Sequence, residues 1–127
     1  MKNRFLFAAA IVAGLASAPS LAAADELLGS YVARISWKDH EASDGYKLDT
    51  AAQVVRQDRA NVHLNIQTDE EDGDDSWFAS KASRARLEKM LNQSGAMNST
   101  TRNAILNGEP LIRVDVYRNS VKVKIIG

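Results

Sequence analysis

The chain has 127 residues, with 16 basic and 16 acidic side chains, two histidines and no cysteine. Lack of cysteine excludes disulfides, thiolate catalysis and thiolate-ligated metal sites. The even charge balance gives no global attraction to nucleic acid or to an anionic membrane.

The first residues read as a leader. Lys2 and Arg4 precede an apolar run over residues 5–16, and Ala22-Ala23-Ala24 then precedes Asp25-Glu26. Small side chains before an acidic pair suit a signal peptidase, so a secretory signal peptide is expected at residues 1–24. The apolar run is well short of the ~20 residues of a membrane-spanning helix, so no stable anchor is expected after cleavage. What remains, residues 25–127, is the size of one domain. Its expected address is the periplasm, with release into the medium as the alternative.

Along that domain, residues 31–36 alternate (Tyr31, Ala33 and Ile35 against Val32, Arg34 and Ser36) and predict a strand. Residues 37–47 are polar, contain Ser43-Asp44-Gly45, and read as a loop. Thr50-Ala51-Ala52-Gln53 has the form of a capping box and predicts a helix over residues 50–60. Asn61 is expected to carry the chain out of that helix in a left-handed or Asx-type turn. Alternation of Val62, Leu64 and Ile66 with His63, Asn65 and Gln67 then predicts a second strand.

Residues 69–75 are a charge-rich loop, and Trp77-Phe78 either begins a returning strand or staples the next helix. That helix is predicted over residues 80–92, with Leu87, Met90 and Leu91 as its buried stripe. A short one follows over residues 100–106, capped by Ser99 and stopped by Asn107-Gly108 and Pro110. The chain closes with a hairpin. Ile112, Val114 and Val116, then Val121, Val123 and Ile125, form one apolar face, and a two-residue loop at Arg118-Asn119 sets Asp115 opposite Lys122. The expected fold class is α+β: a small, mainly antiparallel sheet with two or three helices packed on one face.

Three groups of residues can carry chemistry. The acidic run offers Asp69, Glu71, Asp72, Asp74 and Asp75 as oxygen ligands for calcium, although its spacing is not that of an EF-hand. His40 and His63, with Asp58 and Arg59, are candidates for acid–base work on a phosphate or ester, and the two histidines with Asp39 or Glu41 for zinc. Against these stands a structural reading, in which Asp58 is partly buried, pairs with Arg59, and fixes the helix to the sheet. The polar face of the hairpin, with Arg113, Tyr117, Arg118, Lys122 and Lys124, offers a docking strip for an anionic partner or simply a protected, wet sheet surface. Serine-hydrolase, phosphate-loop and dinucleotide glycine patterns are absent.

The run Arg56-Gln57-Asp58-Arg59-Ala60-Asn61-Val62-His63 resembles one in small exported bacterial proteins of uncharacterised function, written R-Q-D-R-A-N-x-H. The likeness extends to Asp39-His40 and to Asn107-Gly108-Glu109-Pro110-Leu111-Ile112-Arg113-Val114. It implies a shared fold and compartment, and no activity. The function expected from the sequence is therefore a non-catalytic binding module engaging another envelope component, without a cofactor. A small histidine- or metal-dependent hydrolase and a calcium-binding module are the alternatives.

Overall fold

A computed structural model describes residues 25–65 and 75–127, so the expected leader and most of the acidic run lie outside the described residues. The architecture is α+β, as expected: the described residues form a three-stranded antiparallel sheet and three α-helices. Strand β1 (Leu27–Arg34) pairs with β2 (Leu111–Tyr117), and β2 pairs with β3 (Val121–Ile125), giving the order β1-β2-β3. The last two strands form the expected hairpin. Tyr117 N–H donates to Ser120 O at 2.8 Å across Arg118 and Asn119, and Asp115 faces Lys122.

Register explains the core. Tyr31 sits beside Val114 and Val123, and Gly29 beside Val116 and Val121, so one row after another presents apolar side chains to the same face. Helices α1 (Ala51–His63), α2 (Lys81–Leu91) and α3 (Ser99–Asn107) supply Val54, Val55, Leu87, Met90, Leu91 and Ile105 against it. Phe78 adds an edge-on contact to Tyr31, with ring centroids 6.2 Å apart. Among the described residues no helix is long and apolar enough to cross a membrane.

Several local expectations change. β1 begins at Leu27 and ends at Arg34; Ile35 and Ser36 lie beyond it. Its start was hidden by an irregular register between Leu27 and Gly29 that breaks the alternation. The predicted loop contains a 3-10 turn (Trp37–His40), closed by reciprocal Ser36–Asp39 hydrogen bonds, and a bridge between Glu41 and Lys47. Trp77 and Phe78 form a turn, with no strand there. The cap of α3 is Asn98, whose Oδ1 accepts Thr101 N–H at 2.8 Å, one residue ahead of the expected Ser99.

The largest change is at the end of α1. Asn61, Val62 and His63 remain helical, so no strand begins at Val62, and the left-handed residue is Asn65, with φ 57°. The reason is the composition of the buried stripe. Its first turns bury Ala51, Val54 and Val55, and its last turns bury Asp58, Arg59 and Asn61. A helix whose inner face turns polar loses its apolar period while its backbone continues. Ile66 and Gln67 lie outside the described residues.

Candidate functional site

The polar half of α1 is clamped from both sides. Arg59 is fully buried, donates from Nε to Asp58 Oδ2 at 2.8 Å and from Nη1 to Asp75 Oδ2 at 2.7 Å, and stacks 4.1 Å above the Tyr31 ring. Burial alone disfavours a cation, but the two carboxylates more than offset it and raise the guanidinium pKa further. Asp75 is the hub. Its Oδ1 accepts Phe78 N–H at 2.9 Å, and its Oδ2 also lies 3.1 Å from His63 Nε2. Burial pushes the Asp75 carboxyl up, yet the hydrogen bonds from Arg59 and Phe78 win and hold it below its ordinary value of 3.8.

A second link ties α1 to the 3-10 turn. Asn61 Nδ2 donates to Asp39 Oδ1 at 2.8 Å, while Asp39 Oδ2 accepts from Ser36 N–H at 2.9 Å. Gln57 Nε2 donates to Asn61 Oδ1 at 2.9 Å, which fixes the amide orientation. Asp39, Asp58 and Asn61 are each about 1% exposed. Buried polar groups this well partnered hold elements at a fixed angle, because breaking any link strands a desolvated charge or dipole.

The histidines are placed on different supports. His40 has Nδ1 2.8 Å from Ser36 O and Nε2 2.9 Å from Ile105 O. Both neighbours are carbonyl oxygens, so only a ring protonated on both nitrogens donates to both at once. Ile105 is in the last turn of α3, where carbonyls lack helical partners and accept from groups outside the helix. The shallow cavity beside His40, bordered by Trp37, Lys47, Leu106 and Glu109, does not include His63. His63 lies on the Asp75–Arg59 cluster, with its side chain 13% exposed. Of the catalytic candidates, then, Asp58, Arg59 and His63 come together around Asp75, and His40 sits on separate contacts.

Among the described residues no group of three or more histidine or carboxylate side chains is arranged to hold a metal ion. Asp69, Glu71, Asp72 and Asp74 lie outside the described residues. Asp75, expected with them as a calcium ligand, has both oxygens engaged by protein donors.

Of the hairpin candidates, Arg118 lies in the turn, and Arg113, Tyr117, Lys122 and Lys124 lie on the sheet face turned away from the core. Arg34, Arg113, Lys122 and Lys124 occupy outward positions there, and Asp115 is the one carboxylate at an outward position of the three strands. Asp115 accepts from Ser30 Oγ at 2.7 Å and Arg113 Nε at 2.9 Å. The Ser30 hydrogen bond is the main reason its pKa is lowered, with Arg113 and Lys124 adding to it. Lys122 Nζ lies 5.8 Å from the Tyr117 ring centroid, and Arg118 pairs with Glu26 at 2.6 Å. The hairpin tip is also tied to the first described residue: Asp25 accepts from Asn119 N–H at 2.8 Å and from Ser120 Oγ. Sequence reasoning missed Asp39 and Asn61 as a pair and Asn98 as a cap. The Asn-Ser-Thr-Thr run was the available signal for the cap, whereas the Asp39–Asn61 link spans 22 positions and leaves no local trace. Comparison with protein-family models, curated protein sequences and solved structures finds no match for this chain.

Proposed function

We propose that the chain is an exported, non-catalytic binding module that engages an anionic cell-wall polymer through the open face of its sheet. The observation that carries the reading is the set of basic side chains on that face. Arg34, Arg113, Lys122 and Lys124 are spread across three strands around a single, already satisfied carboxylate. Adjacent strands stand about 4.8 Å apart, so the cations are spread across the width of the sheet, which suits a repeating anion better than one small ion. Export rests on the basic, apolar and small-residue zones of residues 1–24. The non-catalytic reading is supported by the use of His40 and Asp75 as structural acceptors and donors.

The test expresses the full chain in a bacterium, isolates it from the envelope fraction, and pellets it with purified cell-wall sacculi. The expected result is a protein beginning at Asp25 that sediments with the wall, and a Lys122→Glu/Lys124→Glu variant that stays in the supernatant. Retention of the unprocessed leader would contradict export. Equal sedimentation of both proteins, or of neither, would contradict the binding surface.

A further inference from the structure

The outward sides of α1 and α2 border an open cavity of about 440 Å³, which meets the polar clamp only at Gln57 and lies apart from the sheet face. Three cations border it, Arg56, Lys81 and Arg84, against one carboxylate, Glu88. Arg56 is matched to Glu88 at 3.0 Å, which leaves the other two. Arg84 is 7% exposed, and its Nη1 donates to the carbonyl oxygens of Phe78 and Ala79 at 3.1 and 2.9 Å. Among the described residues neither Arg84 nor Lys81 has a carboxylate partner. A buried guanidinium normally lies against an anion, because neutral carbonyls do not return the solvation it gives up. Leu48 and Leu64 add apolar wall to the same cavity, and Leu64 is 56% exposed although it sits at its rim. The cavity falls in the size range of small-molecule sites.

We infer that this cavity is a binding site for a small amphiphilic carboxylate, with the carboxylate on Arg84 and Lys81 and the apolar portion along Leu48 and Leu64. Arg84 presents a planar fork that matches a carboxylate, Lys81 adds a flexible point charge from the first turn of α2, and the helix N-terminus favours the same sign of ligand. The Arg56–Glu88 pair borders the same cavity, and its carboxylate is already engaged by Arg56. The site is independent of the wall-binding face, since its residues lie on α1 and α2 and in the segments flanking α1.

Octanoate is the probe, followed by backbone amide shifts in the full exported protein, with octanol and inorganic phosphate as controls. The expected result is saturable binding of octanoate that shifts amides of α1 and α2, and no saturable binding of either control. Lys81→Glu, an exposed change at the helix start, is expected to weaken octanoate by about tenfold or more. Leu64→Asp is expected to weaken it without unfolding the chain, and both variants bypass the structural duties of Arg84. Octanol or phosphate binding as tightly as octanoate, unaltered affinity in Lys81→Glu, or no saturable binding of octanoate would each overturn the assignment.

Discussion

Replacing Asp75 with asparagine keeps the shape of the side chain and removes one buried charge from the clamp. The retained carbonyl oxygen can still accept Phe78 N–H, but the new amide confronts Arg59 Nη1 and His63 Nε2, which now lie 2.7 and 3.1 Å from Asp75 Oδ2. Arg59 is left fully buried with Asp58 as its remaining carboxylate on the clamp. Removing one member of a buried ion pair costs about 3–5 kcal/mol, and the surviving Asp58 contact places this variant at about 3 kcal/mol. That is a large part of the roughly 5–15 kcal/mol that holds a small domain together. Urea unfolding monitored by tryptophan fluorescence measures it. With a slope of about 1–3 kcal/mol per molar, the midpoint falls by about 1 M or more while the slope stays the same. The pH dependence supplies a second reading. The folded-state pKa of Asp75 lies below its ordinary 3.8, so the unfolded chain takes up the proton first. Its contribution is therefore complete above about pH 4 and is lost as the pH falls through the folded-state value, so the gap between the two proteins closes in acid. A loss below about 1 kcal/mol at neutral pH, or a gap that widens in acid, would refute the clamp as described.

Other consequences are equally measurable. His40→Ala removes the ring that bridges the Ser36 and Ile105 carbonyls and is expected to cost about 1–3 kcal/mol in the same urea assay, with faster amide exchange in the last turn of α3; unchanged exchange there would contradict the contact. Gly29→Ala places a Cβ 2.8 Å from the Trp77 ring, so a loss of about 1–3 kcal/mol and a changed tryptophan emission are expected, and neither change would mean the ring does not pack there. Asn61→Leu removes the donor to the buried Asp39 Oδ1 and is expected to destabilise by about 2 kcal/mol, whereas a neutral effect would show that the 3-10 turn does not depend on α1.

The hairpin was legible because each of its rows is decided by its own strand: apolar and polar residues alternate without interruption, and the short turn sets Asp115 against Lys122. The capping box of α1 was legible for the same local reason, and Thr50 accepts from the backbone N–H of Gln53, three residues on. The end of α1 was not, because periodicity counts apolar residues and the inner face there carries Asp58, Arg59 and Asn61. In isolation, Val62-His63-Leu64 has the alternation of a strand, and only Asp39 and Asp75, brought from elsewhere in the chain, make a polar helical face worth burying. Partial burial of Asp58 beside Arg59 was foreseeable from helical spacing. The role of Asp75 was hidden by its acidic neighbours, which made it one more charge in a solvated run.

The central functional claim is that charge on the open sheet face holds the protein to an anionic wall polymer, and the affinity for purified sacculi as a function of salt tests it most directly. The wild-type protein is expected to bind progressively less well as salt rises, because screening shortens the reach of Arg34, Arg113, Lys122 and Lys124. The Lys122→Glu/Lys124→Glu variant is expected to show weak binding with a much shallower salt dependence. An affinity that does not change with salt, or a variant that follows the wild-type curve, would contradict the account.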